Sequence, residues 1–292
     1  VETPADGRRA RGTPTPVGMS LSALIGPIRP PGLHVMSFNI RRRGGLLGGR
    51  RLDRWTERRW LVRELLRAEQ PTVLGVQEAL PDQAAWVRDS LGPDYRSVGR
   101  GRSADGSDEG IPILYDSRRL ELLAWDQLAL SGTPHQTGSR SWGNIIPRAV
   151  VTAEFSDQRT GARFTAINTH LDHLSPRSRL QSAHMLGALA AAQPGPVVLT
   201  ADANCRAGSP PYVVLTRLGG LRDSWSTAEH RLTEEWATYS GYRPPRTGGR
   251  RIDWILVSAD ITVHAAGINA ARSGGRAASD HEPVHAALTI AQ

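Results

Sequence analysis

The chain has 292 residues, 39% of them hydrophobic and 22% charged, with one cysteine and a formal charge of +8. That length buries a large core without covalent staples, the lone Cys205 excludes an intramolecular disulfide and a cysteine-rich zinc site, and no apolar run of about 18 residues marks a transmembrane helix. All the basic residues are arginine, whose planar fork grips phosphate, so the charge suits an anionic substrate and equally a merely well-solvated surface.

Residues 1–32 read as a flexible tail or expression remnant without an intact secretion signal, which leaves the cytoplasm, or secretion after signal removal, both open. Organised chain is expected from Leu33, as one domain over 33–292, since no linker-like stretch divides it. LHVMSFNI (33–40) reads as a strand, followed by the basic, glycine-rich run 41–50. Apolar residues at Trp55, Trp60, Leu61, Leu65 and Leu66 predict a helix that stops before Pro71. A short strand over 71–79 ends at Gln77 and Glu78, and a second helix runs from Pro81 to Gly92. Strands follow near 95–99, 111–115, 121–129, 150–155 and 162–170, the last two as a hairpin. A helix over 176–192 has Ser175 as its N-cap and Pro176 at its first position. A buried strand over 196–204 precedes a helix-like start at 209–219, and late strands lie at 251–258, 261–268 and 282–290. Many strands with helices arriving singly predict mixed sheets covered by helices.

Asn39, Glu78, Asn168, His170, Asp202, Asn204, Asp280 and His281 all fall at or just beyond predicted strands. Such ends can meet at one rim of a sheet scaffold. Their oxygen-rich chemistry favours Mg²⁺ or Mn²⁺ over structural Zn²⁺. Each residue alone has an ordinary reading, as a turn former or a hydrogen-bonded structural group.

Together, SFNI, VQEA, NTHLDH, TADAN, RRIDWIL and SDHEPV, in that order over residues 33–290, resemble the endonuclease/exonuclease/phosphatase superfamily with its DNase I-like fold. The resemblance implies an α/β four-layer sandwich, two facing mixed β-sheets with helices outside, and metal-dependent phosphoesterase chemistry. It implies a metal site built from Asn39, Glu78, Asp202, Asn204, Asp280 and His281, with Glu78 as a direct carboxylate ligand. Asp202 and Asn204 stand in TADAN, where Ala201 and Ala203 replace the family's usual Gly and Phe. His281 matches the catalytic histidine, Asp253 the carboxylate that orients it, and His170 the second catalytic histidine; Asn204 and Asp202 share that catalytic group.

Further residues bear on substrate binding. Glu109 resembles a family site residue, although its usual Gly-Glu order is inverted here to Glu109–Gly110. Trp142 either stacks on a base or sugar or packs its loop. Arg148 either holds phosphate or makes a salt bridge. Asp172 and His173 can line the same loop, His173 equally as a structural group. Arg41, Arg42, Arg43, Arg50 and Arg51 form a basic cluster, and Trp236, Tyr239, Tyr242, Arg243 and Arg246 occupy a long insertion. These fit a nucleic-acid wall, a lid over a small pocket, or a solvated surface.

The expected function is divalent-metal-dependent hydrolysis of a phosphate ester by a monomer, first as a small-molecule phosphomonoesterase. A DNA or RNA nuclease is the alternative, so nucleic acid stays open as a partner. A sphingomyelinase-like phosphodiesterase and a binding-only protein rank below these. Mg²⁺ is the expected cofactor, with Mn²⁺ in second place.

Overall fold

Alternation along the strands decides the layering. In β1 (Leu33–Asn39), Leu33 and Val35 enter one apolar core while Met36 and Phe38 enter another. Successive strand side chains point to opposite faces, so a strand apolar on both must be covered on both. The structure is a computed structural model that describes residues 22–44 and 51–291. After β1, a 3₁₀ turn over Arg51–Asp53 leads to α1 (Trp55–Glu69), β2 (Val73–Gln77), α2 (Pro81–Leu91), β3 (Tyr95–Val98), β4 (Ile113–Asp116) and β5 (Leu120–Ala129). Then come β6 (Ala149–Asp157), β7 (Arg163–His170), α3 (Pro176–Ala191), β8 (Val197–Asp202) and α4 (Pro210–Val213), which continues as a π-helical turn over Val214–Leu218. The chain closes with β9 (Arg222–Asp223), α5 (Ser224–Thr227), β10 (His230–Arg231), β11 (Asp253–Val257), β12 (Ile261–Ile268) and β13 (Val284–Ile290). The sequence shows the long elements but not β9, α5 or β10, which are too short to carry a period.

Two mixed sheets face each other. One has the order β10-β12-β13-β1-β2-β4-β3, the other β5-β6-β7-β8-β11-β9. Val35, Val73, Val151, Phe164, Val198 and Ile255 fill the space between them. Val62, Leu66 and Val87 of α1 and α2 cover the outer face of the first sheet against Phe38 and Val76. Ala183, Leu186 and Leu215 cover the second against Leu199 and Trp254. The result is a four-layer α/β sandwich. Helix ends follow local chemistry: Ser175 Oγ accepts the Ser178 N–H at 3.1 Å to cap α3, and α1 ends where Gln70 turns left-handed (φ 42°).

Halfway along the strands the inner faces change from apolar to polar. Asn168 of β7 spans the gap between the sheets, donating to the carbonyls of Val76, Ile111 and Pro112 at 2.8, 3.0 and 3.1 Å. Its Oδ1 accepts from Gln77 Nε2 at 2.8 Å and Thr200 Oγ1 at 3.0 Å. Opposite it, Gly75 lets the sheets approach, because a Cβ there would lie 2.0 Å from Thr200 Oγ1. Asn168, read from sequence as a rim residue, is thus a buried tie between sheets.

Residues 22–32, placed in the tail by the sequence, are partly tied to α1. The N–H groups of Leu24, Ile25 and Gly26 donate to the Glu69 carboxylate at 2.8, 3.2 and 3.1 Å. Asn269 Nδ2 also donates to it at 2.8 Å, so Glu69, which lies beside His34 and His285, is saturated with hydrogen bonds. Residues 1–21 and Arg50 lie outside the described residues. No helix among the described residues is long and apolar enough to cross a membrane.

Candidate active site

Strand register assembles the site. β7 and β8 run parallel with His170 beside Asp202, and β11 runs antiparallel to β8 with Asp253 beside Asp202. One row of the second sheet therefore reads His170–Asp202–Asp253, all pointing inward by the period of two. From the first sheet, Asn39 at the end of β1 reaches across, and its Nδ2 donates to Asp202 Oδ2 at 2.8 Å and Glu78 Oε1 at 3.1 Å. Glu78, Asn204 and Arg41 leave their strands with φ of 60°, 50° and 55°. Left-handed backbone costs a non-glycine residue about 1–3 kcal/mol, and such strain gathers at functional sites.

The loop before β13 brings the remaining groups. Ser279 Oγ donates to the Asn39 carbonyl at 2.7 Å, which locks this loop onto β1. His281 Nδ1 bonds both oxygens of Asp253, at 3.0 and 3.2 Å, and its Nε2 lies 3.7 Å from Asp202 Oδ2. Tyr239 meets the His281 ring edge-on, with centroids 5.1 Å apart. Arg58, buried in α1, donates to the carbonyls of Ile40 and Arg41 and so fixes the loop that carries Arg41 and Arg42. Arg41 lies 3.5 Å from Glu78 and 3.6 Å from Asp280.

The electrostatics are those of a site short of positive charge at one end. Burial and the adjacent Asp253 push Asp202 up to about 7. Burial likewise raises Asp280. Burial opposes charge on His281, but Asp253 and Asp202 outweigh it and hold the ring well above the usual histidine range. Glu78 stays low despite burial, because His281 and Arg41 face it. Crowded, desolvated carboxylates with an amide oxygen donor suit a hard divalent cation, which would relieve their repulsion. Ligand atoms of Asp202, Asp253 and His281 lie within 4.8 Å of one another.

The opposite end is positive. Arg102 and Arg148 line the same cleft, and burial followed by the Arg102 charge lowers Arg148. Burial and then Arg148 and Arg102 depress His170 well below the histidine range, so it is neutral. Asn204 Nδ2 donates to the Leu171 carbonyl at 3.0 Å and to His170 Nε2 at 2.9 Å, which leaves the His170 proton on Nδ1.

Of the residues singled out from sequence, Glu78, Glu109, Arg148, His170, Asp202, Asn204, Asp280 and His281 line this cleft, while Asn39 and Asp253 stand directly behind it. Asp172 is buried behind Arg148, bonding its Nε at 3.2 Å, and does not line the cleft. Trp142 does not line it either; its carbonyl accepts from Ser175 Oγ at 2.9 Å. His173 lines the cleft and accepts from Arg148 Nη2 at 2.8 Å. Arg42 pairs with Glu109 and lines the cleft, while Arg43 pairs with Asp82, both arginines staying exposed. From the long insertion, Tyr239 reaches the cleft, Trp236 packs near Trp225, and Tyr242 donates to Asp53 at 3.0 Å. Sequence reasoning missed Arg102 and Arg58; for Arg102 the signal was the pair of glycines, Gly101 and Gly110, flanking a turn-rich hairpin.

The Endonuclease/Exonuclease/phosphatase family model matches residues 36–281. Comparison with curated proteins gives no significant match. Among solved structures, an endonuclease/exonuclease/phosphatase from Bacteroides vulgatus superposes with a TM-score of 0.82 at 27% identity, covering 89% of this chain and 99% of its own. A mannosyl-6-phosphatase from Bacteroides thetaiotaomicron gives 0.80 at 26% identity, covering 88% of this chain and 100% of its own. TDP2 from D. rerio, in complex with a single-stranded DNA product, shares the fold with a TM-score of 0.64 at 18% identity, covering 89% of this chain and 100% of its own. Motif order, strand register and family match agree: the chain is a phosphoester hydrolase and belongs to the endonuclease/exonuclease/phosphatase family.

Proposed function

We propose that the protein is a Mg²⁺-dependent phosphomonoesterase acting on a small phosphorylated metabolite, with Mn²⁺ as a substitute ion. The observation that carries this reading is the cleft itself. It has a volume of about 280 Å³, at the small end for ligand sites, and guanidinium groups of Arg42, Arg102 and Arg148 line it beside the carboxylates. The similarity to a mannosyl-6-phosphatase points the same way.

Glu78, Asp202 and Asp280, with Asn39 and Asn204, would hold the cation, which neutralises phosphoryl oxygens and acidifies a water molecule. Asp253 holds the His281 ring through Nδ1, so Nε2 faces the cleft to take a proton from the attacking water. Compensation of Asp202 by a cation removes part of the pull that keeps His281 protonated. The His170 Nδ1–H is buried and has no partner among the described residues, which suits a donor reserved for a phosphoryl oxygen. Nuclease action is the second reading, favoured by Tyr239, which is 53% exposed at the cleft and offers a stacking face.

A phosphate-release panel with Mg²⁺, Mn²⁺ and EDTA tests this, using sugar phosphates, nucleotides and short DNA or RNA, with His281→Ala as control. Inorganic phosphate from a sugar phosphate, lost in EDTA and in the variant, is the expected result. Shortened oligonucleotides with no phosphate release would replace the monoesterase reading by the nuclease one.

A further inference from the structure

Two guanidinium groups that line the cleft are almost wholly buried, and each keeps an N–H without a partner among the described residues. Arg102 is 5% exposed, and its Nη2 meets Glu109 Oε2 at 2.5 Å. Its Nε is buried with no hydrogen-bond partner among the described residues, the Asp108 carboxylate being 3.7 Å away. Arg148 is 2% exposed; Asp172 and His173 take its Nε and Nη2, while its Nη1 is buried with no partner among the described residues. An unpaired buried donor typically costs about 1–3 kcal/mol, more when charged. Two of them on like charges lining one cleft are poor fold stabilisers and good anion donors.

The hairpin that carries Arg102 is built to fix it. The Arg102 N–H donates to the Glu109 carbonyl at 3.0 Å, and Gly101 bridges Gly110 across the neck. A Cβ on Gly101 would lie 2.4 Å from the Gly106 carbonyl, so only glycine lets the hairpin close. Gly110 also bridges Ala79, the neighbour of Glu78, which suspends the hairpin from the end of β2 at the metal-site carboxylate. The other Glu109 oxygen accepts from Arg42 Nη1 at 2.7 Å. Glu109, expected from sequence to touch substrate, instead spends both oxygens on arginines and sets their geometry.

Resting on the reading of this site as a phosphomonoesterase, we propose that Arg102, positioned by Glu109, is the residue that selects monoesters over diesters, donating together with Arg148 to the non-bridging oxygens of a phosphoryl dianion. A monoester at neutral pH carries close to two negative charges and three non-bridging oxygens, the second ionisation having a pKa of about 6. A diester carries one charge and places an alkyl or aryl group where the third oxygen would be. The two unpaired guanidinium N–H groups match the extra charge and oxygen, and a diester leaves one of them without an acceptor.

The test compares the wild type with Arg102→Met, Arg102→Lys and Glu109→Gln on 4-nitrophenyl phosphate and bis(4-nitrophenyl) phosphate under saturating Mg²⁺, with inorganic phosphate as competitive inhibitor. Arg102→Met is expected to lower monoester kcat/KM by about 10- to 100-fold, mainly through KM, and to weaken phosphate inhibition by a similar factor. Diester kcat/KM falls by a clearly smaller factor, and Arg102→Lys recovers part of the monoester loss. Glu109→Gln shifts the monoester-to-diester ratio in the same direction, and it carries the test alone should Arg102→Met fail to fold. An unchanged ratio in a folded variant, or equal loss on both esters, overturns the assignment of Arg102. A wild type that turns over diesters and no monoester overturns instead the functional reading on which it rests.

Discussion

The side chain of Asp202 concentrates the chemistry of the site. It is buried, accepts from Asn39, and sits between His170 and Asp253 in the row that register imposes. Its carboxyl is raised from 3.8 to about 7, so the folded chain binds a proton there that the unfolded chain has released. A raised pKa contributes stability that is present below about pH 4 and lost as pH rises through about 7. The raised His281 acts with the same sign. Melting of the metal-free protein in EDTA is therefore expected to carry a downward component across that window. Asp202→Asn should flatten it, and saturating Mg²⁺ should flatten it in the wild type. Parallel pH profiles for wild type and Asp202→Asn in EDTA would count against this account. Asp253→Asn tests the orienting role: kcat should fall by about 10²-fold or more with KM little changed, because the substitution alters the ring to which the proposed mechanism gives the proton. A matched loss in kcat and in substrate affinity would make Asp253 a structural residue instead.

Single elements were largely legible because their signals are local. Ser175 and Pro176 mark the start of α3, and of the apolar positions read for α1, Trp55, Leu65 and Leu66 are buried, Leu61 is half-buried and Trp60 is exposed. Buried arginine at Arg58 was not legible, since an arginine in a helix reads as a surface residue until carbonyls are found to surround it. Asn168 makes the same point in a strand. Five hydrogen bonds converge on its amide, joining β7 to β2, β8 and the segment before β4. Asn168→Leu leaves those groups without partners, and unfolding in urea is expected to show a loss of about 3 kcal/mol or more. Wild-type stability in that variant would mean the tie between the sheets is dispensable.

Across the whole molecule, the site exists because two sheets meet at a set distance. Gly75 is the narrowest point: an added methyl would fall 2.0 Å from Thr200 Oγ1 and 2.8 Å from Asn168 Oδ1. Gly75→Ala must therefore spread the sheets or distort the tie, at about 1–3 kcal/mol. Spreading also lengthens the bond from Asn39 to Asp202, so Mg²⁺ affinity, read as the Mg²⁺-induced rise in melting temperature, should weaken with it. A variant that is destabilised yet keeps the full Mg²⁺ shift would uncouple sheet spacing from the metal site.

The sequence by itself determined where the longer strands form and which polar residues end them, because periodicity and short motifs act within a few residues. It also determined the chemistry available: oxygen ligands, two histidines and arginine as the sole strong base. Tertiary structure alone decided which of those groups meet. Asn39 and Asp202 are 163 residues apart and share a hydrogen bond of 2.8 Å. Arg42, Arg43, Arg102 and Arg148 look alike in the sequence, yet packing leaves Arg42 and Arg43 exposed in pairs with Glu109 and Asp82 and buries Arg102 and Arg148, each with an N–H unpaired among the described residues. Desolvation and Coulomb interaction depend on ångström distances and burial, which are properties of the packed sandwich and not of residue order.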